Sequence, residues 1–224
     1  MSRTIYLNNI DPDEMYDTFI KIEQSFGIKF IQADMDNLYT LGDLYNVVHS
    51  KIDLIHQDSC TTQQAFYNLR SILVAYTDVD KKDITPKTAI KDVFYNELWL
   101  IEKVKQQTGI DIAVLQMKGS VVLCLLLLFV AGCLACCFNL LVALLIFSAF
   151  TVSLLIADKF GKEISVKTVG EMAGKMAREH YLQSRKYRNT VNRNEINKKI
   201  QELFKRDFAI DSSSLTPNAS LFRS

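Results

Sequence analysis

Four of the five cysteines, Cys124, Cys133, Cys136 and Cys137, fall within 14 residues of one another, a density that invites metal or redox chemistry. Their surroundings argue against it. A thiolate ligand must be deprotonated and needs a polar second shell, and the neighbouring side chains are hydrocarbon. Cys133, Cys136 and Cys137 stand at i, i+3 and i+4 on one helical face beside Gly132 and Ala135. Small residues at that spacing favour close helix–helix packing, so Gly132, Cys133, Cys136 and Cys137 read as a membrane packing face and no metal site is expected. His49 and His56 share one helix at i, i+7, and His180 lies far away without a paired Cys or carboxylate motif. Asp58-Ser59-Cys60 precedes a helix opened by Thr61 or Thr62, where Ser59 or Thr61 reads as an N-cap. The sequence has no P-loop, G-x-G-x-x-G, H-E-x-x-H or G-x-S-x-G, so it is not expected to be an enzyme.

The reason for the cysteines' apolar setting is the distribution of charge. The chain has 224 residues, 26 basic and 25 acidic side chains and a net charge of +1, with a mean hydropathy of +0.07. Those averages describe an ordinary soluble protein, yet no charged residue lies in the 39 residues from Gly119 to Ala157. One straight helix of that length would span about 58 Å, against roughly 30 Å of bilayer hydrocarbon. Two helices fit, with the break at Cys137-Phe138-Asn139, where Asn139 is the only side-chain amide in the run. Val121–Cys137 holds ten Leu, Val or Phe residues, and Leu140–Ala157 twelve of Leu, Ile, Val or Phe. At about −0.3 to −0.6 kcal/mol for each near a helix centre, both halves favour insertion. Five Cys so placed do not form a secreted disulfide framework.

Lys103, Lys105 and Lys118 precede the run and Lys159, Lys162, Lys167 and Lys175 follow it. Both flanks are basic, so a two-span hairpin with both termini cytoplasmic is expected. The opening Met1–Asn8 has no apolar core and does not read as a signal peptide. Residues 1–118 carry 12 basic and 17 acidic side chains; residues 158–224 carry 14 and 8. The basic segment after the membrane suits anionic headgroups. Glu171, Glu179, Glu195 and Glu202 interrupt it, so no nucleic acid partner is expected.

Outside the hairpin the periodicity is helical. Tyr16, Phe19, Ile20 and Phe26 share a face; Leu41, Leu44, Tyr45, Val48, Ile52 and Ile55 share another. Ala65, Phe66, Leu69, Ile72, Leu73 and Tyr76 repeat the pattern, and Trp99, Ile101 and Val104 mark a shorter helix. Val169, Met172, Ala173, Met176 and Ala177 line one more, as do Ile196, Ile200, Leu203 and Phe204. No alternating run demands a sheet, and the fold class is all-α: small helical bundles plus a two-helix transmembrane hairpin.

Two peptides recur. Ile84-Thr85-Pro86-Lys87-Thr88-Ala89-Ile90 returns as Leu215-Thr216-Pro217-Asn218-Ala219-Ser220-Leu221. Phe26-Gly27-Ile28-Lys29-Phe30 with Thr40-Leu41-Gly42-Asp43-Leu44 returns as Phe160-Gly161-Lys162-Glu163-Ile164 with Thr168-Val169-Gly170-Glu171-Met172. The offsets are 131, 134 and 128 residues, so one order of elements is used twice.

This pattern resembles the acyl carrier protein family, a four-helix bundle with a Thr-Pro-x-Ala/Thr-x-Leu loop after its first helix and a Phe-Gly-x-x-Ile … Thr-Val-Gly-Asp-Leu passage into its last. The resemblance covers most of the residues outside the uncharged run, in broken pieces. It implies a partial carrier-like unit at 1–58, from the second helix onward, and the first part of a second unit at 59–118. The hairpin of 119–157 interrupts that second unit, whose last part is 158–187. Residues 188–224 look like a first helix and loop that would complete 1–58, by permutation within one chain or by exchange between protomers.

In the family, a serine at the start of the second helix carries phosphopantetheine. Counting back from Phe26 by the family spacing reaches Pro12, so Asp11-Pro12 replaces Asp-Ser; the same count from Thr108 reaches Phe94, beside Tyr95 and Asn96. Only Ser59 would bear the cofactor, if the protein were a true carrier. The resemblance with its missing serine implies a non-catalytic, membrane-anchored binding or scaffold protein without a cofactor, in the bacterial inner (cytoplasmic) membrane. Its expected partners are the lipid bilayer and a protein of acyl-chain or lipid metabolism. Two alternatives are a functional carrier modified at Ser59 and a small two-span component forming homo-oligomers through the cysteine face.

Overall fold

The computed structural model describes residues 7, 10–93, 97–112, 115–160 and 162–222. The chain is mostly helical, with eleven α-helices and four strands of two or three residues among the described residues. Two helices are long and apolar enough to cross a membrane.

The first hydrophobic core joins residues far apart in sequence. Helices α1 (Pro12–Phe26), α2 (Gln32–Met35) and α3 (Leu41–Lys51) pack with α11 (Arg193–Phe208). Leu215 and Leu221 from the following loop complete it. Local chemistry sets the ends of these helices. Asp11 caps α1 by accepting from the Asp13 N–H at 2.9 Å, and Pro12 occupies the first turn, where its missing N–H costs nothing. Gly27 ends α1 in the left-handed region at φ 61°. Asn192 caps α11.

The second core joins α4 (Thr61–Tyr76), α5 (Ile90–Val93) and α6 (Glu97–Thr108) to α9 (Val169–Glu179), which follows the hairpin. Between the cores lies the short α10 (Tyr181–Ser184). The Phe26 and Tyr181 rings meet at 5.1 Å, and the Ser25 hydroxyl donates to the Arg178 carbonyl at 2.7 Å. The two cores therefore form one packed body around α9 and α10.

The recurring peptides perform the same structural task in each core. In the first, the Gly42 N–H donates to the Pro217 carbonyl (2.7 Å), Leu41 to Ala219 (2.9 Å), and Leu221 back to Tyr39 (2.9 Å). In the second, Gly170 donates to Pro86 (2.9 Å), Val169 to Thr88 (3.0 Å), and Ile90 back to Lys167 (2.9 Å). Each docked helix opens with a threonine cap, Thr40 receiving the Asp43 N–H and Thr168 the Glu171 N–H. The carboxylate reaches back in both, Asp43 to the Thr40 N–H and Glu171 to the Lys167 N–H. The Thr40 hydroxyl and backbone hold the Asp43 carboxyl below the usual carboxylate range.

The hairpin is α7 (Gly119–Cys136) and α8 (Leu140–Phe160). Asn139 starts α8 by accepting from the Leu141 N–H at 2.9 Å, which explains the lone amide. The less exposed α7 residues, Val121, Leu125, Leu128, Gly132 and Ala135, recur at alternating spacings of four and three. That is the heptad seam of two helices crossing at a shallow angle. Against it lie Ala143, Ile146, Phe147 and Phe150 of α8, with Phe129 packed on Phe147 and Phe150 at 6.2 and 5.8 Å. Only 11% of each 18-residue apolar window is buried, so the chain itself leaves most of both helices uncovered, and their length and composition suit a membrane crossing. At the base, β2 (Leu115–Met117) and β3 (Lys162–Ile164) pair antiparallel, Gln116 opposite Glu163, and hold entry and exit together.

Several sequence expectations are corrected. On α1 the buried face is Met15, Phe19, Ile22 and Phe26, and Tyr16 is 61% exposed. Helix α3 ends at Lys51; Ile55 is exposed and belongs to β1 (Ile55–His56), paired parallel with β4 (Thr190–Val191). On α6 the buried pair is Leu100 and Val104, while Trp99 lies half-exposed against Tyr76 at 5.8 Å. Gly161 lies outside the described residues.

The docked loops make a direct prediction. A Cβ on Gly170 would sit 2.6 Å from the Pro86 oxygen, and one on Gly42 2.9 Å from the Pro217 oxygen, while Gly174 has nothing within 4 Å. Gly170→Ala should cost about 1–3 kcal/mol of stability, and Gly42→Ala less, because backbone must move. Gly174→Ala, within α9, should be neutral or stabilise by up to about 1 kcal/mol. Thermal unfolding of the full chain in detergent checks the ranking; an unaffected Gly170→Ala would contradict the docking geometry.

Candidate functional site

Ser59, the one serine whose context invites modification, lies where the chain crosses from β1 into α4. The β1–β4 pairing places it over Arg185, whose side chain is 2% exposed. Arg185 is held by the Gln57 carbonyl (3.2 Å), the Ser59 carbonyl and hydroxyl (3.3 and 2.9 Å), and the Thr61 and Thr190 hydroxyls (2.8 and 3.1 Å). The Gln64 amide also donates to the Ser59 hydroxyl, at 2.9 Å. Two donors thus converge on the half-buried Ser59 oxygen.

The start of α4 is closed from across the structure. Cys60 is the N-cap but makes no side-chain capping bond, so neither Ser59 nor Thr61 caps the helix, contrary to the sequence expectation. The cap comes instead from Glu195 on α11. Its carboxylate accepts from the Thr61 N–H at 3.2 Å and from the Thr61 hydroxyl at 2.7 Å. The positive end of the helix dipole is thereby occupied by the protein's own anion. Tyr181 donates to the same carboxylate at 3.2 Å, and its hydroxyl receives the Asn192 N–H at 3.0 Å. Burial pushes the Tyr181 phenol above its ordinary range, with the Thr61 hydroxyl opposing, so it stays protonated as a donor at neutral pH. Arg185, Thr61, Glu195 and Tyr181 form one clasp between α4, α10 and α11.

The other two positions matched to the family's serine offer no hydroxyl. Pro12 is the first residue of α1, immediately after the Asp11 cap; Phe94, Tyr95 and Asn96 lie outside the described residues. The histidines are separate. His49 meets Asn197 at 2.9 Å, His56 accepts from the Arg193 N–H at 3.2 Å, and His180 meets the Asp111 carbonyl at 3.2 Å. Among the described residues no three His, Cys, Asp or Glu side chains gather in a way that could hold a metal ion.

The four residues read as one membrane face divide. Gly132 is buried in the seam, where a Cβ would come within 3.0 Å of Phe147. Cys133, Cys136 and Cys137 are exposed and lie on the outside of the hairpin. One residue of rotation separates them from the 128–132–135 stripe, so the close packing falls on Gly132 and Ala135.

Sequence reasoning missed a cleft of about 540 Å³ between α4, the loop 82–86 and the start of α9. Phe66, Ile84, Pro86 and Ala173 line it, with Cys60 and Arg70 among its other walls. The Arg70 guanidinium lies over the Phe66 and Tyr67 rings at 5.3 and 4.9 Å. The i, i+4 spacing of Phe66 and Arg70 was its only sequence signal.

Removing the guanidinium leaves the Gln57 and Ser59 carbonyls without their donor, so Arg185→Leu should destabilise the full chain by about 3 kcal/mol. Glu195→Gln should cost less, about 1 kcal/mol, because an amide oxygen retains part of the cap. Denaturant titration followed by helical circular dichroism measures both, and an equal or reversed order would argue against the clasp. Comparison of the chain with known protein families, curated proteins and solved structures yields no match.

Proposed function

We propose that the protein is a non-catalytic, membrane-anchored scaffold whose acyl-carrier-like bundles present helical surfaces to a protein partner. The observation that carries this reading is the state of Ser59: its oxygen accepts from Arg185 and Gln64, and the adjacent helix start is filled by Glu195. A phosphodiester there would face an existing carboxylate and would have to displace a buried guanidinium. Pro12 supplies no hydroxyl at the matching position of the first bundle. The basic residues flanking the hairpin support a two-span topology with both ends of the chain inside, and the resemblance alone suggests a bacterial cytoplasmic membrane. By the same resemblance, the partner is an enzyme of acyl-chain or lipid metabolism.

Intact mass measured after co-expression with a phosphopantetheinyl transferase is expected to equal the sequence mass. A phosphopantetheine adduct mapping to Ser59 would overturn the scaffold reading in favour of a functional carrier. Affinity capture from detergent-solubilised membranes would then identify the partner.

A second reading rests on the outward cysteines. Cys133, Cys136 and Cys137 are exposed on the hairpin and would line a contact between two copies in the bilayer. Crosslinking in membranes is expected to yield fewer oligomers when all three are changed to Ala. Unchanged oligomers would remove that face from consideration.

A further inference from the structure

A second cavity, of about 280 Å³, lies between the middle of α4, the end of α6 and the segment 183–188. Its character is opposite to that of the apolar cleft. Arg185, Lys186 and Arg188 line it together with the neutral side chains of Ser71, Gln107 and Gln183, and no carboxylate is among its lining residues. None of the three cations has an ion pair among the described residues. By contrast Lys82, at the edge of the apolar cleft, pairs with Asp80 at 3.3 Å.

The three cations contribute differently. Arg185 is buried and its N–H groups already point at Gln57, Ser59, Thr61 and Thr190. It therefore supplies charge rather than hydrogen bonds, tempered by the Glu195 carboxylate that shares Thr61 and Tyr181 with it, so Lys186 and Arg188 carry most of the positive character. Arg188 donates one N–H to the Thr108 carbonyl at 3.0 Å, which covers the negative end of α6 and leaves its other donors available. Lys186 rests over the Tyr187 ring at 5.4 Å and is otherwise exposed. Concentrated positive charge with mobile donors on one side and neutral side chains on the other matches a tetrahedral, multiply charged oxyanion.

We propose that this cavity binds a phosphate group, as a phosphomonoester of a membrane lipid headgroup or as free phosphate. The volume accommodates a phosphate with several waters at about 30 Å³ each. This assignment is independent of the scaffold reading, because it uses neither Ser59 modification nor a protein partner.

The test is protection of Lys186 from acetylation, read by mass spectrometry on the full chain with Lys198 as internal reference. One arm holds the protein in detergent and compares inorganic phosphate with chloride at equal ionic strength. The other compares nanodiscs of phosphatidylcholine alone with nanodiscs containing phosphatidic acid. Phosphate-specific protection in detergent supports the site with a free ligand; protection confined to phosphatidic acid supports it with a lipid ligand. Arg188→Gln should weaken either effect about tenfold, and Arg188→Lys should retain most of it. A second variant, Lys186→Gln, changes an exposed side chain and should abolish the rise in melting temperature produced by whichever ligand protects, phosphate over chloride or phosphatidic acid over phosphatidylcholine alone. Absence of protection in both arms overturns the proposal, as does protection that Arg188→Gln leaves intact.

Discussion

The structure depends on one backbone arrangement made twice: a proline carbonyl received by a glycine N–H at the start of a helix. Gly42 with Pro217 and Gly170 with Pro86 bring a loop so near a helix that no side chain fits between them. In the first bundle, the contact ties α3 to the loop that follows α11; in the second, it ties the loop after α4 to a helix beyond the hairpin. The first core is assembled from segments separated by most of the chain and the second from segments on either side of the hairpin, and these docked loops fix their register.

Much of this was legible because the bonds carry a sequence signature. Only glycine tolerates the approach, threonine caps the helix, and an acid three residues later completes the cap, so Thr40-Leu41-Gly42-Asp43 and Thr168-Val169-Gly170-Glu171 stand out in any self-comparison. The uncharged run and its lone Asn139 were equally plain. What escaped is what leaves no local trace. The β1–β4 pairing spans two residues on each strand and joins Ile55 to Thr190 across the chain. Glu195 caps a helix 134 residues away, so nothing in the local Asp58-Ser59-Cys60-Thr61 sequence marks the true cap. Arg185 reads in sequence as one charge in a basic run, yet it is among the most buried side chains of the molecule.

The hairpin shows how fine the distinction between faces can be. Gly132 and Cys133 are neighbours, yet one packs against Phe147 and the other faces outward. A spacing argument locates a stripe of small residues but not its angular phase, which depends on the partner helix. The phase follows from Phe129, Phe147 and Phe150, whose bulk fills one side of the crossing and demands a small residue opposite.

The union of early and late segments in the first core also sets an order of events during synthesis. Residues 12–52 expose Phe19, Ile22, Leu41 and Leu44 as soon as they emerge, and the helix that covers them, 193–208, is made only after the second core and the hairpin. In the interval the apolar hairpin is made, and α9 must meet α4 across it. The nascent amino-proximal helices therefore wait as an uncovered apolar surface for most of translation, a window in which a chaperone or a second nascent chain would compete for it. Closure of the hairpin, by pairing its two flanks through β2 and β3, shortens the search that ends this exposure.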